Sequence, residues 1–175
     1  KVADPIIVHP DVRRMLLTQK AVAEGGRFLL YQAAKIADKM TVGVLNKDEK
    51  MREHWDDKLG FYTPILKGFL TEMGLEAANI GMQVFGGHGY IHEHGMEQIV
   101  RDTRIALIYE GTSAIQALDL LGRKIMGSGG ELLRGFAAIV EQFCAENAGN
   151  ADMAPLVAAL TANGKRLEGL TMHIA

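Results

Sequence analysis

Apolar residues recur at helical spacing along almost the whole chain, and strand-like alternation never lasts. Between residues 11 and 40, Val12, Leu16, Ala23, Leu30, Ala34 and Ala37 fall close to one face of a long helix. Pro10 and Asp11 suit its first turn, through a preset φ and an acid at the positive end of the helix dipole. Gly25-Gly26 inside this helix costs about 1 kcal/mol per glycine relative to alanine, which close approach of a neighbouring helix would offset. A second helix is expected from about Pro64 to Phe85, with Ile65, Phe69, Met73, Leu75, Ala78, Ile80 and Met82 on its apolar side. The highly charged "NKDEKMREHWDDKLG" (46–60) between them reads as an exposed connection with a short helix capped by Asn46 and Glu49. A short helix is expected at 96–104. Another starts at a Thr112 or Ser113 cap and runs to about Arg123, with Ile115, Leu118 and Leu121 as its stripe. "GSGG" (127–130) is a hinge, and two last helices at 131–146 and 152–173 are split by "NAGN". The expected fold is all-α: an antiparallel helical bundle over 1–126 with an appended C-terminal helical hairpin over 127–175, and no internal repeat.

Bulk properties exclude several functions. With 48% apolar and 23% charged residues the chain can build a core, so disorder is not expected. The net charge of −2, with basic residues scattered among acids, offers no patch for nucleic acid. The one cysteine, Cys144, rules out an internal disulfide framework and a cysteine-based zinc site, and it fits a reducing compartment such as the cytoplasm. No apolar run is long enough to span a membrane, and no signal peptide is found. The chain opens at Lys1 in the middle of polar sequence, as a piece of a longer protein would.

"GGHGYIHEHG" (86–95) concentrates glycine and histidine. His88, His92 and His94 are not spaced for one helix face, since glycines interrupt the helix, and no second ligand cluster accompanies them; no metal site is expected. The glycines admit two readings. One is a helix-connecting turn. The other is a surface where backbone N–H groups approach a phosphate, although the stretch follows a helix rather than a strand and is neither a Rossmann nor a Walker pattern.

The stretch gains meaning from its sequel. "MQVFGGHGYIHEHGMEQIVRDTRIALIYEGTSAIQALDLLGRKI" (82–125) closely resembles the C-terminal helical domain of the acyl-CoA dehydrogenases. The resemblance rests on Gln-x-x-Gly-Gly-x-Gly-Tyr at 83–90, Arg101-Asp102, and Ile108-Tyr109-Glu110-Gly111-Thr112. "HPDVRRMLLTQKAVAEGGRFL" resembles the opening helix of that domain, so the likeness covers about residues 9–126. "IQALDLLGRKI" and the hairpin after it look like the larger bacterial branch of the family, which includes dehydrogenases resembling those for 3-methylthiopropanoyl-CoA. The resemblance implies two further domains, one helical and one β, that are not in this sequence. It implies FAD, an acyl-CoA substrate and α,β-dehydrogenation to the 2-enoyl-CoA. It also implies a homodimer or homotetramer and an electron-transfer flavoprotein as acceptor. A bundle lacking the other domains is expected to be inactive alone and to hold no FAD.

A base must take the α-proton of the thioester while the β-hydrogen leaves as hydride, and a carboxylate suits this when desolvated. Glu110 follows the apolar Ile105-Ala106-Leu107-Ile108. Taken alone it reads as an acid beside a helix N-terminus; the Tyr-Glu-Gly-Thr likeness implies that it is the catalytic base. Its backbone N–H would help polarise the thioester carbonyl. Tyr109 and Gly111 are implied at the substrate, Gly111 by permitting a tight turn. Thr112 is implied as a hydrogen-bond partner of the cofactor and cap of the next helix. Gln83, Val84, Phe85, Gly86 and Gly87 are implied to contact the ADP half of an FAD held largely by a neighbouring subunit. Tyr90 and Tyr109 read as wall residues, Arg101 and Asp102 as a structural pair, and Arg123 as a cation at a helix end.

The pattern departs from the family's at "EHGMEQ" (93–98), where many members carry Glu-Tyr-Pro-Val-Glu-Arg, so a cation is lost at Gln98; Ala114 stands where some members have a polar side chain. Two other functions remain open. One is an acyl-CoA oxidase on the same scaffold, which oxygen reactivity would distinguish. The other is a redox-silent helical assembly module, against which Glu110 beside the glycine segment speaks.

Overall fold

The computed structural model describes residues 3–174, and every regular element among them is helical. Helix α1 spans Pro10–Leu45, preceded by a 3-10 turn at Ile6–Val8. The Arg13 guanidinium closes that entry, donating to the carbonyls of Ile7 (2.7 Å) and Val8 (3.2 Å).

The expectation of an exposed connection at 46–60 is overturned. The turn is only Asn46 to Asp48, with Lys47 at φ 55, and helix α2 then runs unbroken over Glu49–Val84. Its cap is Asp48, which accepts from the Met51 N–H at 3.0 Å, rather than Asn46 or Glu49. The physical reason lies on one side of this charged stretch. Met51, Trp55 and Leu59 recur every four residues and are partly covered, while Glu53, His54, Asp56 and Asp57 face solvent. The Lys39 ammonium of α1 sits 4.1 Å from the centre of the Trp55 ring, a cation–π contact that helps hold the two helices together. Pro64 does not start α2 but lies buried inside it, giving up one helical hydrogen bond in its interior.

Three close approaches show that α1 and α2 run antiparallel. A Cβ at Gly43 would lie 2.7 Å from the Arg52 nitrogen, one at Gly26 would lie 3.2 Å from a Leu70 methyl, and one at Gly81 would lie 2.9 Å from the Gln19 amide. Gln19 also donates to the Ala77 carbonyl at 2.9 Å. Of the glycine pair in α1, only Gly26 meets a neighbour; Gly25 faces open space.

Met15, Ala33, Phe61, Ala78 and Leu107 form the buried apolar core around this pair. Helix α3 (Gly87–Tyr90), helix α4 (Met96–Arg104) and helix α5 (Ser113–Leu118) pack on α2. Arg101 and Asp102 are not paired in the way expected: Asp102 accepts from the Gln98 amide at 2.6 Å instead. Neighbours in a helix diverge by about 100°, whereas residues four apart share a face, so Gln98 reaches what Arg101 does not.

Beyond α5 the backbone widens into a π-helix over Asp119–Met126, carrying the helical path past Arg123. Gly129 and Gly130, both at positive φ, end it, with the Gly130 N–H on the Ile125 carbonyl at 2.8 Å. The chain divides into two compact units, one ending at Leu120 and one beginning at Leu121. In the second, helix α6 (Glu131–Glu146) and helix α7 (Ala154–Ile174) contact each other, and the Thr161 hydroxyl approaches the Cys144 sulfur at 3.7 Å. No helix among the described residues is long and apolar enough to cross a membrane.

Candidate active site

Helix α2 ends in the glycine stretch. Phe85 still donates to Gly81, at 3.3 Å, but Gly86 turns to φ 60, ψ −144, a conformation that essentially needs glycine. Gly89 is buried, and a Cβ there would overlap the Met82 carbonyl oxygen. Gly95 takes φ 70 at the entry to α4. Gly87 differs from these three: its φ is not positive, and a Cβ would meet nothing within 4 Å. Gln83, Phe85, Gly86 and Gly87 are exposed and Val84 is half-buried, so the turn presents open backbone.

The three histidines serve local contacts. His92 Nδ1 lies 2.9 Å from a Glu97 carboxylate oxygen, and the rings of His88 and His94 meet edge to face at 5.1 Å. Among the described residues no group of three or more metal-ligating side chains forms.

Gly89→Ala is expected to lower stability by about 1–3 kcal/mol, because the methyl must push the α2 carboxyl end away from the turn. A fall in melting temperature checks this. An unchanged value would mean that the turn shifts freely.

The second segment is the turn at Glu110. It follows the 3-10 turn Ile105–Leu107, whose Leu107 is buried in the core. Glu110 has φ 56 and Gly111 φ 91, two successive residues in the left-handed region. For glutamate this conformation costs about 1–3 kcal/mol and persists only where the surroundings impose it. The Gln116 side-chain amide donates to the Glu110 carbonyl at 3.1 Å, and a Cβ at Gly111 would lie 2.8 Å from that nitrogen. The Glu110 side chain is exposed, and no ion pair or hydrogen bond engages its carboxylate among the described residues. The described residues therefore leave this acid exposed to solvent, in contrast to the expectation from its apolar sequence neighbours. Ile108 and Tyr109, just before it, and Ile115, near Gly111, are themselves more than half exposed. Tyr90 is more exposed still, at 78%.

Thr112 occupies the N-cap position of α5 with extended backbone (φ −66, ψ 166), but its hydroxyl makes no capping bond. The expected double role thus reduces to position: the hydroxyl is not committed to the helix. Ser113 is committed, donating to the Glu72 carboxylate at 2.6 Å and fastening α5 to α2. Gln116 and the Ser113–Glu72 pair were not singled out from the sequence, since a glutamine in an apolar stripe and a glutamate on a distant helix carry no spacing signal.

Glu110, Gly111 and Thr112 are brought together in one turn, and Gln83 to Gly87 in another. The two turns are separate. Ser113 is fastened at Glu72, and the eleven residues from Glu72 to Gln83 extend about 16 Å along α2.

The unit ending at Leu120 is all-helical, with an exposed carboxylate on a left-handed turn and an open glycine turn at the end of its long helix pair. Residues 2–126 match the model of the acyl-CoA dehydrogenase C-terminal domain. Over 138 residues, 79% of this chain and 23% of the relative, the chain is 47% identical to a 3-methylmercaptopropionyl-CoA dehydrogenase of Ruegeria pomeroyi. It is 37% identical to a broad-specificity linear acyl-CoA dehydrogenase of Mycobacterium tuberculosis, over 81% of this chain and 23% of that protein. A butyryl-CoA dehydrogenase of Syntrophomonas wolfei is 36% identical over 80% of this chain and 22% of its own length. The chain belongs to the acyl-CoA dehydrogenase family, through that family's C-terminal domain, and spans about a quarter of the length of these relatives.

Proposed function

We propose that the chain supplies the catalytic base and part of the cofactor surface of an FAD-dependent acyl-CoA dehydrogenase, which converts an acyl-CoA thioester to its 2-enoyl-CoA. The observation that carries this reading is Glu110: an exposed, unpartnered carboxylate held at φ 56 on a turn whose geometry Gln116 imposes. Left-handed non-glycine residues occur at helix ends, as at Lys47, and cluster at active sites, where they aim a side chain. The family match over residues 2–126 supports the same conclusion.

In the reaction Glu110 accepts the α-proton of the thioester, and the backbone N–H of Glu110 polarises the thioester carbonyl, stabilising the charge that develops there. Tyr109, Ile108 and Ile115 form the apolar border that, once covered by substrate and the remaining domains, excludes water from the carboxylate. Gly111 allows the turn. Bound FAD would supply the acceptor for the β-hydrogen leaving as hydride.

The residues present fit FAD. Gly87 faces open space with no conformational need of its own for glycine, so the backbone from Gln83 to Gly87 can be approached closely by a dinucleotide. The free Thr112 hydroxyl can hydrogen-bond the cofactor beside the base. We assign Gln83 to Gly87, at the end of α2, to the ADP half of a neighbouring subunit's FAD and Thr112, at the start of α5, to the subunit's own. The enzyme is then a homodimer or homotetramer, delivers its electrons to an electron-transfer flavoprotein, and works in the cytoplasm.

The test is anaerobic titration of the full-length, FAD-loaded protein with a panel of acyl-CoAs, short, long, branched and thioether-containing, following flavin absorbance. Bleaching by one or more thioesters is the expected result. A flavin that no member of the panel reduces would overturn the dehydrogenase reading.

A further inference from the structure

The acid of the proposed site stands on a backbone that does not hold its own shape. Nothing in the Tyr109–Thr112 segment itself favours φ 56 at a glutamate. The constraint comes from six residues further on. Gln116, in the second turn of α5, reaches back and donates its side-chain amide to the Glu110 carbonyl at 3.1 Å. The bond needs Gly111, because a Cβ there would stand 2.8 Å from the donating nitrogen. The Gln116 stem passes close to Gly68 of α2, where an added Cβ would stand 3.6 Å from its Cβ. Ser113, three residues earlier, fixes the start of α5 to Glu72 of α2 at 2.6 Å. A rigid path thus runs from α2 through α5 to the main chain of Glu110.

We infer that Gln116 is a positioning residue for the base: its amide, by fixing the Glu110 carbonyl, sets the direction of the Glu110 carboxylate. This rests on the assignment of Glu110 as base and adds the residue through which the fold aims it. Without the donor, Glu110 relaxes toward the ordinary right-handed or extended regions, and a rotation there swings its side chain away from the thioester α-carbon. The glutamine touches neither substrate nor flavin in this account. Its loss affects the rate of proton transfer and leaves binding of the thioester in place.

The experiment is a double-mutant cycle in the full-length, FAD-loaded protein. Gln116→Met keeps the length of the side chain and removes the donor. Flavin bleaching by a saturating acyl-CoA is timed in wild type, Gln116→Met, Glu110→Gln and the double variant, with FAD content and melting temperature measured for each. The expected result is a loss of about 10- to 100-fold in kcat for Gln116→Met, the size that a misplaced reacting group produces. KM and FAD content stay within about threefold of wild type. In the Glu110→Gln background the same change should cost clearly less than in wild type, since the carboxylate it aims is gone and only the residue-110 N–H at the thioester carbonyl is left to be positioned. An unchanged kcat for Gln116→Met overturns the inference, and so does an equal loss in both backgrounds, which marks a general structural role. If Glu110→Gln bleaches as fast as wild type, the assignment of the base fails and the inference with it. If Glu110→Gln is slow and Gln116→Met is normal, only the inference fails.

Discussion

Glu110→Gln in the full-length, FAD-loaded protein is expected to slow acyl-CoA-driven flavin bleaching by about 10²- to 10⁴-fold, the usual contribution of a positioned general base. The amide preserves size and the turn, since the φ 56 backbone is fixed by Gln116 at the carbonyl and not by the carboxylate. It cannot take a proton. Substrate binding should persist, because the carboxylate has no structural partner whose loss would disturb the fold. Glu110→Asp separates chemistry from placement. It keeps the acid but withdraws it by one methylene, and a displacement of about 1 Å costs up to about 10²-fold. Bleaching rates by stopped flow check both variants. Equal rates in wild type and Glu110→Gln would move the base to another residue.

Phe61→Ala is expected to destabilise the helical unit by about 3–5 kcal/mol, the range for emptying a packed aromatic site. Phe61 is 4% exposed, among the most buried side chains of the core, and its ring meets Tyr62 edge to face at 5.7 Å. It sits in α2 three residues before the buried Pro64, where the helix has already given up a hydrogen bond. Packing there must hold the helix continuous, so a void at Phe61 weakens both. Amide hydrogen exchange in the full-length protein reads this locally: exchange across α1 and α2 should speed by about 10²- to 10³-fold. An acceleration below about tenfold would show that the core closes over the gap.

Much of this was legible from the chain alone because helical periodicity is a local signal. The helix at 96–104 and that at 131–146 were bounded as found, and the first long helix was placed with its Pro10 start. The charged stretch 46–60 hides its helix because a high charge density masks the four-residue spacing of Met51, Trp55 and Leu59. Three apolar residues four apart are enough to seat a helix when its other side is solvated. The breadth of the π-helix at Asp119–Met126 had no signature in residue types.

At the site, the sequence by itself determined which residue types were available and in what order: an acid followed by glycine and threonine, and a glycine turn at the end of a long amphipathic helix. Those follow from composition and spacing, which no folding event can alter. Tertiary contacts alone settle that Glu110 lies in the left-handed region, that Gln116 holds its carbonyl, and that Ser113 anchors the turn to Glu72, 41 positions away along the chain. They also settle that the Glu110 carboxylate stays exposed in this chain despite apolar neighbours in sequence. The reason is that burial and backbone strain are set by contacts between segments distant along the chain. A local pattern specifies a helix, but the direction of a side chain on the turn after it depends on what packs against that turn.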